Sequence, residues 1–158
     1  MSLMIRTMVA IATSMTVGSL SAEPVSCAVS PCAVGSIVKS APPSGGLYLV
    51  CPTAELSEYA NTVLGVASLS QSLGVTVPPP SPITGEPSYT GETKVLFDRL
   101  RNRAGVRTFD EAASHCQRGS HNQLLVIKAS ASQSILVSTR KSPSQTFWMP
   151  ANAADATR

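Results

Sequence analysis

Four cysteines, Cys27, Cys32, Cys51 and Cys116, and two histidines, His115 and His121, are the residues of this chain best suited to redox, metal or nucleophilic chemistry. Structural zinc sites present ligand pairs at short spacing, as in Cys-x2-Cys, and no such pair occurs here. His115 and Cys116 are adjacent, so on a helix they point to different sides and do not share one ion. No metal and no cofactor is expected. Nucleophilic catalysis needs a serine, cysteine or threonine beside a base, and His115 and His121 are the only imidazoles. Neither Gly-x-Ser-x-Gly nor Ser-x-x-Lys occurs. Glu55 with Glu58, and Asp110 with Glu111, could form carboxylate pairs, but each stands where a helix start commonly places acids.

The cysteines are read by their compartment. Met1 to Thr7 carries Arg6 and no acid, Met8 to Leu20 is apolar or small throughout, and Ser19, Ser21 and Ala22 supply the small residues that a signal peptidase needs. Residues 1–21 are therefore expected to be an export signal, cleaved after Ser21. Its apolar run is shorter than the roughly 20 residues of a membrane span, so the mature chain is expected to have no span. A lipid on Cys27 would suit the small Ser26 before it, but Pro24 and Val25 match such signals poorly, and three cysteines would be left over. An even number of cysteines in an oxidising compartment reads as two disulfides with three possible connectivities. Cys27 and Cys32 lie close together around Pro31, while Cys51 and Cys116 end separate elements, which favours 27 with 32 and 51 with 116. In the chain-entropy model the longer bridge removes about 4 kcal/mol of unfolded-state freedom.

Length and charge narrow the function classes. Residues 22–150 suit a single domain, small enough to benefit from covalent bridges, with residues 151–158 expected to fray. The full chain has 12 basic and 9 acidic residues, and loss of Arg6 with the signal leaves a nearly neutral mature protein. Electrostatics alone recruits no partner. The densest cationic stretch is Lys94, Arg99, Arg101, Arg103 and Arg107, in which Arg99 and Arg103 share a helix face and are candidate anion ligands. Phe97 is the only aromatic there, which argues against nucleic acid.

The elements that must position these residues follow from periodicity. Ile37-Val38 is a short apolar piece, Ala41 to Gly46 reads as a turn or loop, and Leu47 to Cys51 reads as a buried strand. Pro52 and Thr53 start the longest helix, ended at Gly74, with Leu56, Tyr59, Ala60, Val63, Val66 and Ala67 at three-to-four spacing. Residues 78–90 are proline-rich and read as a stiff exposed connection, or alternatively as a partner-binding loop. Glu92 to Ala104 forms a second helix ended by Gly105, expected to turn Val95, Leu96, Leu100 and Ala104 inward and Lys94, Asp98 and Arg101 outward. Thr108 and Glu111 form a capping box for a third helix. Leu124 to Ala129 and Ile135 to Arg140 form a hairpin, and Thr146 to Met149 adds a strand. Trp148 is expected to plug the core against the hairpin or else to anchor a partner; Phe147 and Trp148, adjacent on that strand, must face opposite ways, leaving one of them for an interface.

The expected fold is α+β: about three helices on a small antiparallel sheet with a C-terminal hairpin, stapled by disulfides. The expected function is that of an exported, periplasmic or extracellular, non-catalytic binding or accessory subunit whose partner is another envelope or secreted protein. Three rivals are a small hydrolase using His115 or His121, a secreted inhibitor or effector, and an anionic-ligand module using Arg99 and Arg103.

Overall fold

The computed structural model describes residues 25–42 and 46–157. The expected signal, residues 1–21, and residues 43–45 of the first loop lie outside the described residues. The chain runs β1 (Ile37–Ser40), β2 (Leu49–Val50), α1 (Ala54–Ser72), α2 (Gly91–Ala104), α3 (Phe109–His115), β3 (Gln117–Arg118), β4 (Leu124–Ala131), β5 (Ser134–Thr139), β6 (Thr146–Pro150) and β7 (Ala154–Ala156). A five-stranded antiparallel sheet has the order β6-β5-β4-β1-β7, and β2 pairs with β3 in a second, two-stranded sheet. The fold is α+β, with three helices and a small antiparallel sheet as the residues imply. Among the described residues no helix is long and apolar enough to cross a membrane.

The helix boundaries follow from local chemistry. Thr53 is the N-cap of α1, its hydroxyl accepting from the Leu56 N–H at 3.2 Å, and Thr108 does the same for α3 through the Glu111 N–H at 3.1 Å. Each contact satisfies an N–H that would otherwise lack a helical partner. The Glu111 carboxylate reaches back to the Arg107 N–H at 2.7 Å, one residue before the cap position that the capping box would predict. Gly105 ends α2 in the left-handed conformation, φ 69°, which glycine adopts without a Cβ penalty.

Two cores divide the protein. One face of the sheet carries Val38, Leu125, Ile127, Ile135, Val137 and Met149, all buried, each worth about 1.5–3 kcal/mol on removal from water. The second core joins α1, α2 and α3 through Leu56, Tyr59, Val63, Phe97, Leu100 and Ala112, with Cys51 among them. Both disulfides form as the spacing suggested, Cys27–Cys32 and Cys51–Cys116, and the sulfur of Cys27 is engaged in its bridge.

Four expectations need correction. Residues 151–158 do not fray over their described part: Ala151 and Ala153 are buried in a 3-10 turn, and β7 pairs with β1 through Val38–Ala156, Lys39–Asp155 and Ser40–Ala154. Small alanine side chains fit against the sheet and lose almost no rotamer entropy there, while the β1 edge supplies the ladder. The outer edge of β7 is itself covered, since the Cys27 N–H donates to Ala154 O at 2.8 Å and the Ala156 N–H to Val25 O at 3.1 Å.

On α2, Val95 is 65% exposed and Phe97 is buried, while Arg101 turns inward with its side chain 12% exposed. Phe97, Leu100, Arg101 and Ala104 share one stripe at helical spacing, and Val95, two residues from Phe97, falls on the opposite side. The run from Leu47 to Cys51 is a ladder only at Leu49–Val50. An isolated bridge aligns Cys51 with Trp148, so the next antiparallel pair would be Leu49 with Pro150. Proline has no N–H to offer, and the Asn61 amide takes over: it accepts from the Leu49 N–H at 2.8 Å and donates to the Leu49 carbonyl at 2.9 Å.

Lastly, the proline-rich segment is docked instead of free. Pro80 and Pro87 bridge, the Ser81 N–H donates to Glu86 O at 2.7 Å, and the Phe109 N–H donates to Thr84 O at 2.7 Å. Its anchor is Glu86, 5% exposed. The Glu86 carboxylate accepts from the Tyr59 hydroxyl at 2.5 Å and from Arg101 Nη1 at 2.6 Å, and Arg101 Nη2 also donates to Asp98 at 2.5 Å. Burial, then the adjoining Glu86 carboxylate, pushes the Tyr59 phenol well above its ordinary value. Burial alone would lower the Arg101 guanidinium, but hydrogen bonds and charges from Glu86 and Asp98 outweigh it and hold it higher.

Candidate functional site

Phe147 stands at the join of two surface depressions. One, of about 230 Å³, extends from Phe147 past Val50, Gln117 and Gln145 to Tyr48, Ser120, Gln123 and Thr139. The other, of about 330 Å³, shares Val50, Gln117, Gln145 and Phe147 and is lined also by Pro52, His115 and Thr146. Phe147 is half-buried and packs against the sheet core, so its ring is held from behind and open in front.

The chain builds this surface from segments far apart in sequence, joined by the Cys51–Cys116 disulfide and by the β2–β3 ladder through Val50–Gln117 and Leu49–Arg118. Val50 and Pro52 flank one sulfur-bearing residue, His115 and Gln117 the other. Beyond β3, the loop 119–123 is fixed by Tyr48. Its backbone carbonyl accepts from the Gly119 N–H at 2.9 Å and its hydroxyl donates to Ser120 O at 2.6 Å. The Ser40 hydroxyl donates to the same carbonyl at 2.6 Å and accepts from the Gln123 N–H at 2.8 Å. Burial raises the Tyr48 phenol above its ordinary value despite the opposing contact with Ser40, keeping it a neutral donor. Gly119 lies flat on this ring, for a Cβ there would sit 2.1 Å from it.

Of the residues singled out above, Phe147 is at this surface and Trp148 is not. Trp148 lies on the opposite face of β6, half-buried, with its backbone bridged to Cys51 in both directions at 2.8 Å. Arg99 and Arg103 do not form a free cationic pair. Arg103 is ion-paired to Glu58 at 3.3 Å, whereas Arg99 borders a separate shallow depression with Glu92, Val95 and Leu96. Glu58 is thereby spoken for, and its other oxygen accepts from the Ser132 hydroxyl at 3.4 Å.

The hydrolase alternative requires an imidazole bonded to a serine or carboxylate. His115 lies in the second depression and His121 stands near the Tyr48 ring, centroids 6.3 Å apart. Among the described residues, neither ring has such a partner. Nor do the described residues hold a group of three metal-ligating side chains.

Sequence reasoning missed Gln117, Gln123 and Gln145. They belong to no motif. The available signals were that Gln117 follows a bridged cysteine and Gln145 precedes Phe147 by two residues, but both became meaningful only when β3 and β6 were placed together. No family model matches this chain, and no curated protein or solved structure is significantly similar to it. The site's own chemistry therefore carries the functional reading.

Proposed function

We propose that this chain is an exported, non-catalytic binding domain, an accessory subunit of an envelope or extracellular assembly, that engages its partner through the concave surface around Phe147. The observation that carries the reading is the position of Phe147: a ring braced by the core, open to solvent, and shared by two adjoining depressions. Half-exposed aromatics in such settings concentrate binding energy, and concave surfaces with a few convergent polar groups are the usual form of a ligand site. The two disulfides fit an oxidising compartment, and the longer one, together with the β2–β3 ladder, ties the two halves of the surface. Arg118 and His115 are the basic groups lining it, the Tyr48 phenol is held neutral, and no carboxylate lines it, so the surface selects by shape and hydrogen bonding more than by charge.

The test is capture of components from the native envelope and medium on immobilised mature protein, wild type against Phe147→Ala, with intact mass read before and after reduction. Defined components retained by the wild type and lost by the variant, with a mass gain of two hydrogens per bridge, are expected. Retention that ignores Phe147, or free thiols in the native protein, would overturn the reading.

A further inference from the structure

We infer that the surface around Phe147 takes a neutral carbohydrate of at least two sugar rings; this rests on the binding reading above and names its ligand class. Gln117 and Gln145 line both depressions with Phe147, Gln123 and Thr139 line the first, and Thr146 lines the second. A glutamine amide is donor and acceptor at once, the combination that vicinal sugar hydroxyls require; the Thr146 hydroxyl offers the same pair on one atom, while that of Thr139 already accepts from the Ser142 N–H at 3.0 Å and has its proton to donate.

These amides are unspent. Among the described residues the three glutamine side chains make no hydrogen bond to the protein, whereas the Asn61 amide, in its structural role, contacts Leu49 and Ser57 four times. The braced Phe147 ring provides an apolar wall for the C–H face of a sugar.

Charge argues for a neutral ligand. No carboxylate lines either depression, and Arg118 alone is not a cluster that would gather a polyanion. Size argues for more than one ring. Each depression, about 230 and 330 Å³, lies at or below the lower end of the usual range of about 300–1,000 Å³ for small-molecule sites. The two share Val50, Gln117, Gln145 and Phe147 in their walls, so a chain of sugars lying across Phe147 can enter both.

The experiment is a glycan array followed by titration calorimetry on the mature, oxidised protein as wild type, Phe147→Ala, Gln117→Ala and Gln145→Ala. The glutamine variants alter exposed side chains and keep the test valid if Phe147→Ala folds poorly. The expected result is binding to neutral oligosaccharides, weaker for the matching monosaccharide, insensitive to salt, and reduced roughly tenfold or more by Phe147→Ala and by several-fold with either glutamine change. Presenting the same glycan free and attached to a glycopeptide distinguishes a polysaccharide source from a glycoprotein.

Absence of neutral-glycan binding, with a protein partner still retained through Phe147, would overturn the carbohydrate assignment and leave the binding surface standing. Binding only to charged glycans, lost in salt and on Arg118→Ala, would overturn the neutral chemistry. Loss of neither glycan nor partner on these substitutions would overturn both.

Discussion

Replacing Arg101 with methionine removes a guanidinium from the interior while keeping most of the aliphatic stem. Glu86, 5% exposed, then retains one partner, the Tyr59 hydroxyl at 2.5 Å. Breaking a buried ion pair from one side costs about 3–5 kcal/mol, because the surviving charge stays desolvated. The Arg101 side chain is 12% exposed, so water screens part of the field and the lower end, about 3 kcal/mol, is expected. Glu86→Gln is milder: the amide still accepts from Tyr59, and Arg101 still holds Asp98, for a cost of about 1–2 kcal/mol. In the double variant no charge is stranded, so its cost should fall short of the sum by about 2 kcal/mol.

Urea unfolding of the oxidised protein, followed by the fluorescence of Trp148, the sole tryptophan, reads all four corners of this cycle. In thermal unfolding each kcal/mol corresponds to about 3–4 °C for a chain of this size. An Arg101→Met variant within 1 kcal/mol of wild type, or single effects that simply add, would refute the reasoning. The docked proline-rich segment would then be held by its backbone bonds alone.

Three further outcomes are expected. Gly119→Ala drives a Cβ to 2.1 Å from the Tyr48 ring, which is tethered through its hydroxyl, so a loss of about 3 kcal/mol is expected in urea unfolding, and an effect below 1 kcal/mol would mean the ring moves freely. Replacing both Cys51 and Cys116 with serine should cost about 4 kcal/mol and the Cys27 and Cys32 pair about 2 kcal/mol, with ligand binding lost only in the first case; equal effects would separate the bridge from the site.

The third concerns pH. The folded Tyr59 and Tyr48 phenols ionise at higher pH than unfolded ones, so stability is full below about pH 10 and falls as pH rises past it. Asp98, lowered by hydrogen bonds from Lys94 and then Arg101, acts in the other direction: its contribution is present above about pH 4 and lost as pH falls through its folded value. Urea midpoints across pH check both limbs, and Tyr59→Phe should shrink the alkaline fall without abolishing it.

Helices α1 and α3 were legible because capping is local: Thr53 and Thr108 announce their starts within four residues, and α2 was legible from its terminating Gly105. The hairpin was legible for the same reason, its β-rich runs separated by a polar turn. Strand β1 was not, since Ile37–Ser40 has one fully buried apolar residue, Val38, and its place beside β4 depends on partners far along the chain. Arg101 reads as a solvent residue until Glu86 is brought against it, and Glu86 lies in a proline-rich run that suggests exposure. The Phe147 half of the candidate surface was visible as a paired aromatic; the glutamines were not, because an amide has no pattern until something convergent surrounds it.

The pairing of β1 also bears on how the chain reaches its folded state. Its two ladder neighbours, β4 and β7, begin at Leu124 and Ala154, so the first strand waits for the last third of the polypeptide before it can pair. Such non-local closure slows folding and leaves partly made sheets exposed to association. The same delay leaves the leading strand uncommitted while the rest of the chain is made, and the β1–β7 ladder closes only once residues 154–156 are available to pair.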